Sequence, residues 1–343
     1  MNASRIFYID ALKAIAIVLV VMGHTNVIWE VGGSNSVYLP ILSVFHMPLF
    51  MALSGYVTNV ETFNLAKRAK MLIPFFVFGF AWTAFVQLPI GGFFTSEAKY
   101  GYWYLYVLFA FFVFLSLIRA MKRNLYIGMG LVQIGLMGLH FMFHRTITGT
   151  TISTDHMFQL WPFFCLGIIL RRGLLNKIYS HKIKVLTICS LGVVGIWGGQ
   201  IYFRLTETLL IYTNDLMSFF IVPMLFVVFH EAEVRFKGTT NPVKKTAKSL
   251  GHYIGINTLQ IYVLQYFAIN LTEKLVCDVL KVDLSSYELL LSPVLAVIIC
   301  LLCVLVTEVL YLNSAALQFN FLFKFLGNKI LPRILPCQIF HLP

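Results

Sequence analysis

The chain has 343 residues, 59% of them hydrophobic and 12% charged, with a mean hydropathy of +0.82. A soluble domain carries about 25% charged residues, so the composition excludes a water-soluble globule and indicates an all-α polytopic membrane protein. The net charge of +12 does not call for a nucleic-acid partner, because Lys and Arg of a membrane protein collect in its cytoplasmic loops.

A crossing helix needs about 20 apolar residues. Candidate spans fall near 7–28, 39–60, 71–90, 102–119, 125–142, 157–172, 184–203, 210–230, 254–272 and 290–311, which makes ten. Arg5 ahead of the first apolar run resembles a signal-peptide start. The run is longer than a signal h-region and no A-x-A site follows it, so a retained span is expected. With the N-terminus in the cytoplasm, 20 of the 26 Lys and Arg fall in cytoplasmic segments and five in outer ones, with Lys13 inside the first span. That bias predicts both termini in the cytoplasm. A membrane domain is expected over 1–312, followed by an amphipathic cytoplasmic tail over 313–343.

The first span, FYIDALKAIAIVLVVMGHTN, carries Asp10, Lys13 and His24. Ionisable groups in hydrocarbon cost several kcal/mol unless they meet a partner or water. Lys13 and His24 lie three helical turns apart on one face, about 16 Å along the axis, with Asp10 a turn below Lys13. Asp10 and Lys13 also fit a simple interfacial ion pair with a snorkelling lysine. The second span contains FHMPLFMALSGY, in which His46 comes at a depth similar to that of His24, so the two histidines are expected to face one cavity.

Lys67, Arg68 and Lys70 stand at the cytoplasmic mouth of the third span, either as topological charge or as a phosphate site. The run YWYL, with Trp103, opens the fourth span, where an aromatic belt accounts for it equally well. In the ninth span INTLQIYVLQYF supplies Asn257, Tyr262 and Gln265, which also suit polar helix packing. The six cysteines are scattered, and CLLC at Cys300–Cys303 has no histidine or second cysteine pair near it. Neither a disulfide framework nor a metal site is expected.

These residues together resemble the acyltransferase 3 family of integral membrane O-acyltransferases. The family's basic-x10-His motif of the first span matches Lys13 and His24. FHMPLFMALSGY resembles its second motif, KRAKMLIPFF its basic-x-x-basic motif at Lys67, Lys70 and Pro74, and YWYLYVLF its Trp-Phe-Leu motif at Trp103. NTLQIYVLQYF is similar to the Ser/Thr-Leu-x-Ile-Tyr-x-Leu-His motif of the late spans. The chain looks like the branch of fucose and polysaccharide O-acetylases. It departs from the common pattern at Lys13, where Arg is usual, and at Gln265, where His is usual.

The resemblance implies transfer of an acyl group, most simply acetyl, from cytoplasmic acyl-CoA to a hydroxyl of a surface or lipid-linked saccharide, in the inner (plasma) membrane. No permanently bound cofactor is implied; acetyl-CoA is a donor substrate. In this reading His24 is the general base, and His46, Ser54, Tyr262 or Gln265 steadies the base or the oxyanion. Lys13, Asp10, Lys67, Arg68 and Lys70 serve the CoA, while Trp103, Tyr262, Gln265 and Asn257 line the acceptor's place. Acylation of His24 itself is the other route. A transporter or flippase for a lipid-linked saccharide is the alternative, as is a non-catalytic partner in polysaccharide export. The sequence shows no internal repeat of the kind many transporters carry.

Overall fold

A computed structural model describes residues 7–29, 36, 38–122, 124–203, 206–236, 242–279 and 288–317. In hydrocarbon each backbone N–H and C=O must find its partner within the segment, and helices do this. Among the described residues every regular element is helical. In chain order these are α1 (Phe7–Ile28), α2 (Tyr38–Val57), α3 (Leu65–Ala69), α4 (Leu72–Phe85), α5 (Ile90–Thr95), α6 (Trp103–Ala120), α7 (Leu125–Phe143) and α8 (Ile147–Ile152). They continue as α9 (Thr154–Ile169), α10 (Leu175–Ser180), α11 (Lys182–Phe203), α12 (Glu207–Phe236), α13 (Pro242–Ile256), α14 (Thr258–Glu273) and α15 (Glu288–Leu317).

Among the described residues nine stretches have the length and hydropathy of a crossing. The expected ninth span, 254–272, is the exception, because it is two helices rather than one. Asn257 turns out of helical geometry, and its side-chain amide donates to the Tyr253 carbonyl at 2.8 Å, ending α13. The 16 residues of α14 rise only about 24 Å, short of a hydrocarbon core about 30 Å thick. Its course still crosses the bundle: Thr258 lines a cavity with Lys13, and the Ile269 carbonyl accepts from the Trp29 indole at 3.0 Å. A π-helical turn, Lys274–Val279, extends it further.

Two other expected limits move. The third crossing starts earlier, at Leu65, so Lys67–Lys70 belongs to its first turns. The sixth runs on to Ser180 through a π-helical turn, Leu170–Leu174, where Gly173 adopts a φ of 113°. Much of the expected tail, together with Arg5, Arg123, Arg204, Lys237 and Lys281, lies outside the described residues.

α1 is the hub, packed against α2, α12, α13, α14 and α15. That position follows from its polar stripe, which lipid would penalise. α2 packs on α9 through reciprocal glycines. A Cβ on Gly55 would strike the Phe164 carbonyl oxygen, and one on Gly167 the Ala52 carbonyl oxygen. Small residues let helix backbones meet in this way where no hydrophobic force drives them together. α11 packs on α12 and otherwise turns Ile183, Ile188, Leu191, Val194 and Trp197 outward, as a lipid-facing helix should.

Three arginines gather at one end of the bundle. Arg119 donates to the carbonyls of Val60, Glu61 and Phe63, Arg171 to that of Tyr56, and Arg172 pairs with Glu61 at 2.6 Å, all at the C-terminal end of α2. The start of α1 lies there too, since the Tyr8 and Tyr56 hydroxyls meet at 2.7 Å. Glu288, at the start of α15, accepts from Asn26 near the far end of α1. Glu308, late in α15, accepts from Tyr253 of α13 at 2.6 Å, back at the basic end. α1 therefore starts, and α15 finishes, at the same end.

Candidate active site

The stripe on α1 is met at two levels. At the basic end the Asp10 carboxylate is buried, with Lys13 Nζ 3.9 Å from one oxygen and His252 Nδ1 3.0 Å from the other. α13 brings His252 this close because Gly255 lies against the Asp10 backbone, where a Cβ would strike the carbonyl oxygen.

One turn higher, Lys13 enters a cavity of about 180 Å³. Its walls are mainly apolar: Phe50, Leu53 and Val57 of α2, Leu105 and Leu108 of α6, Met71 between α3 and α4, and Leu259 of α14. Ser54, Tyr104, Thr258 and Tyr262 add polar edges, and the Ser54 and Tyr104 hydroxyls hydrogen-bond each other at 2.7 Å. The cavity thus has one cation, few hydrogen-bonding groups and a tyrosine-rich wall.

His24 stands beyond that wall. Neither it nor His46 is among the cavity's lining residues. The Tyr266 hydroxyl lies 3.0 Å from His24 Nε2 and 3.4 Å from Nδ1. Tyr266 is itself gripped by the rings of Trp82 at 5.5 Å and Tyr102 at 5.6 Å. Gly101, at a φ of 99°, gives it room: a Cβ there would strike the Tyr266 ring. His46 Nδ1 donates to the Leu42 carbonyl one turn back, which leaves Nε2 as the ring's acceptor. His24 and His46 stand on α1 and α2, which pack against each other.

The remaining sequence candidates divide. The Tyr262 ring lines the cavity, and its hydroxyl donates to the Gly101 carbonyl at 2.9 Å, tying α14 to the turn before α6. Gln265 is fully buried; its amide donates to the Tyr262 carbonyl at 3.2 Å and its Oε1 has no hydrogen-bond partner among the described residues. Asn257 serves the helix break. Lys67 and Lys70 are exposed, and Arg68 lies over the Phe112 ring at 4.8 Å, so the basic cluster sits on the rim, next to the Met71 wall. Trp103 is not brought to the cavity. Its ring lies against His156 of α9, 4.1 Å between centroids and tilted by 34°, while its neighbour Tyr104 faces inward.

Three residues here were not singled out from the sequence. Tyr266 stands next to Gln265 in the quoted motif, and the single aromatic step between them was the available signal. His252 lies in a segment read as a cytoplasmic loop. Glu288, buried at the start of α15, accepts from Asn26 at 3.1 Å, from the Tyr38 backbone at 3.3 Å and from Ser36.

A bundle of membrane-crossing helices around a buried histidine and an apolar cavity tipped by one lysine defines a class: a multi-pass membrane protein with its polar groups held inside the bundle. The family model for an acyltransferase domain matches residues 6–312, so the chain belongs to the acyltransferase 3 family. It is 25% identical over 215 residues to the nodulation protein NolL of Sinorhizobium fredii, covering 52% of this chain and 53% of that one. It is 26% identical over 229 residues to the nodulation protein NolL of Mesorhizobium japonicum, covering 56% and 57%. The chain thus matches about half the length of these relatives. No solved structure matches it.

Proposed function

We propose that the protein is an inner-membrane O-acyltransferase that moves an acetyl group from acetyl-CoA to a saccharide hydroxyl. The observation that carries this reading is the alignment on one helix face of Lys13, in the mouth of an apolar cavity, with His24 about 16 Å above it. CoA has the matching form, a phosphate-rich head and a long uncharged arm that ends in the reacting thioester.

In this reading the basic end of the bundle is cytoplasmic, as the positive-inside bias predicts. Lys67, Lys70 and Lys13 attract the phosphates, and Asp10 with His252 holds Lys13's helix face in place. Lysine acts here as a point charge rather than a bidentate fork. The pantetheine arm rises through the cavity, and the wall of Tyr104 and Tyr262 parts to admit it to His24.

The chemical step is direct transfer. The acceptor hydroxyl oxygen attacks the thioester carbonyl carbon while a His24 ring nitrogen takes its proton. The C–S bond of the tetrahedral intermediate then breaks, CoA leaves as thiolate, and the imidazolium returns the proton to sulfur. The products are an O-acetyl ester and CoA. Tyr266 holds one edge of the His24 ring, and His46 on the neighbouring helix is the group proposed to steady the base or the oxyanion.

The test uses purified protein in nanodiscs with radiolabelled acetyl-CoA and a panel of saccharide acceptors, following CoA release and label transfer. Wild-type turnover that falls by about 10²–10⁴ in His24→Ala, with acetyl-CoA binding retained, is the expected result. Equal turnover in the two proteins removes His24 as base, and no acetyl-CoA binding by the wild type removes the donor.

A further inference from the structure

Away from the acyl-transfer site, three metal-competent side chains converge at the opposite end of the bundle from Lys67–Lys70. His140 and His144 lie four residues apart at the end of α7 and so share a face. Asp155, in the first turn of α9, reaches between them. His140 Nδ1 is 2.6 Å from Asp155 Oδ1, and His144 Nδ1 is 2.9 Å from Oδ2. One ligand atom from each of the three residues can be chosen so that all lie within 4.8 Å of one another.

We propose that His140, His144 and Asp155 form a zinc-class divalent metal site that braces α7 to α9. Zinc bonds of about 2.0–2.2 Å to imidazole nitrogen and carboxylate oxygen, in tetrahedral array, set ligand atoms roughly 3.3 Å apart. The two imidazole–carboxylate separations, 2.6 and 2.9 Å, need to open by less than 1 Å, and the widest separation of the trio, up to 4.8 Å, needs to close by about 1.5 Å. The ion takes the place of the protons now shared between each imidazole and the carboxylate. Two imidazoles and a carboxylate suit zinc better than magnesium or calcium, which prefer all-oxygen shells.

The surroundings are those of a built site. His140 is buried and stacked on Phe158 at 4.7 Å, with an interplanar angle of 17°. Its other nitrogen, Nε2, lies 3.3 Å from the Tyr212 hydroxyl of α12, which donates to it while Nδ1 holds the proton facing Asp155. When an ion replaces that proton, Nε2 takes the N–H and donates to the hydroxyl, the outer hydrogen bond that orients a metal-bound imidazole. His144 is exposed, which gives the ion an entry path and leaves a fourth position for water. Asp155 also precedes His156, which carries the Trp103 ring, so a brace here would steady the start of α6 as well. The His-x3-His spacing at the end of α7 gains its third member only when α9 folds back.

The test is metal stoichiometry on full-length protein purified without a histidine tag, stripped with chelator, loaded with Zn²⁺, desalted and assayed by elemental mass spectrometry. One equivalent per chain is expected in the wild type, none in His144→Ala or Asp155→Ala, and one in His181→Ala, which removes an exposed histidine elsewhere. Zn²⁺ should raise the Tm of the wild type and leave that of His144→Ala unchanged. Because His144 is exposed, its removal should spare folding, checked by an unchanged elution profile. A wild type that takes up no zinc overturns the proposal, and so does a full equivalent in His144→Ala.

Discussion

Removing the Tyr266 hydroxyl is the most discriminating perturbation of the proposed site. Tyr266→Phe keeps the ring that packs on Trp82, Tyr102 and Gly101, and deletes only the oxygen 3.0 Å from His24 Nε2. A typical hydrogen bond contributes about 0.5–1.5 kcal/mol net, and stranding a buried polar partner costs about 1–3 kcal/mol. A loss of about 1–3 kcal/mol in transition-state stabilisation corresponds to about a 5- to 150-fold fall in kcat. The KM for acetyl-CoA should stay at its wild-type value, because Lys13 and the cavity are untouched. The assay is steady-state CoA release across pH for wild type, Tyr266→Phe and His24→Ala, with Tm measured on each. An unchanged kcat and pH profile would refute the positioning role. Complete loss with a wild-type Tm would refute it differently, by making the tyrosine hydroxyl a reacting group.

Lys13→Gln should raise the KM for acetyl-CoA about 10- to 150-fold, the worth of a charge-assisted hydrogen bond of about 1.5–3 kcal/mol, while Lys13→Arg keeps binding; equal KM values in all three proteins would exclude Lys13 from donor binding. Gly167→Ala should lower Tm, since its Cβ meets the Ala52 carbonyl and overpacking costs about 1–3 kcal/mol. Gly199→Ala, with nothing within 4 Å, should not lower it. Lys99, before α6, donates to the carbonyls of Phe94, Ser96 and Thr150 at 2.9, 2.7 and 2.6 Å, and burial pushes its amine down to about 8. An unfolded lysine titrates near 10.4, so between those values the unfolded chain holds the proton that the folded chain has lost. Stability should therefore rise with pH from about 8 to 10.4 relative to Lys99→Met; parallel pH curves for the two proteins would contradict this.

Length and hydropathy made nine crossings readable, and the polar face of α1 was readable from its 3.6-residue period. The break at Asn257 was not, because an apolar run carries no mark of where a side chain will take a carbonyl from the helix before it. Trp103 and Tyr104 show a second limit. Adjacent residues point about 100° apart on a helix, so a motif centred one residue away selects the ring that faces α9 rather than the one that lines the cavity. His252 and Asp155 show a third: each meets its partner only through the packing of another helix, α13 on α1 and α9 on α7. Neither pairing is encoded in local periodicity.

The three ionisable residues of α1 thus have three separate environments. Asp10 lies between Lys13 and His252, Lys13 reaches the cavity from the basic end, and His24 is held by a tyrosine on another helix. If the stripe were only an ion pair with a snorkelling lysine, nothing would require a histidine three turns higher on the same face, nor an apolar cavity between. If it lined a water-filled permeation path, the space above Lys13 should be polar throughout. Instead it is walled by Phe50, Leu53, Val57, Leu105 and Leu108 and closed by tyrosines. On the proposed function, a charge at one end, an apolar passage and His24 at the other match a donor that is itself charged at one end, uncharged along its arm and reactive at the tip. On that proposal the Lys13–His24 separation corresponds to the length of the donor's arm, and the tyrosines close the passage while no arm occupies it.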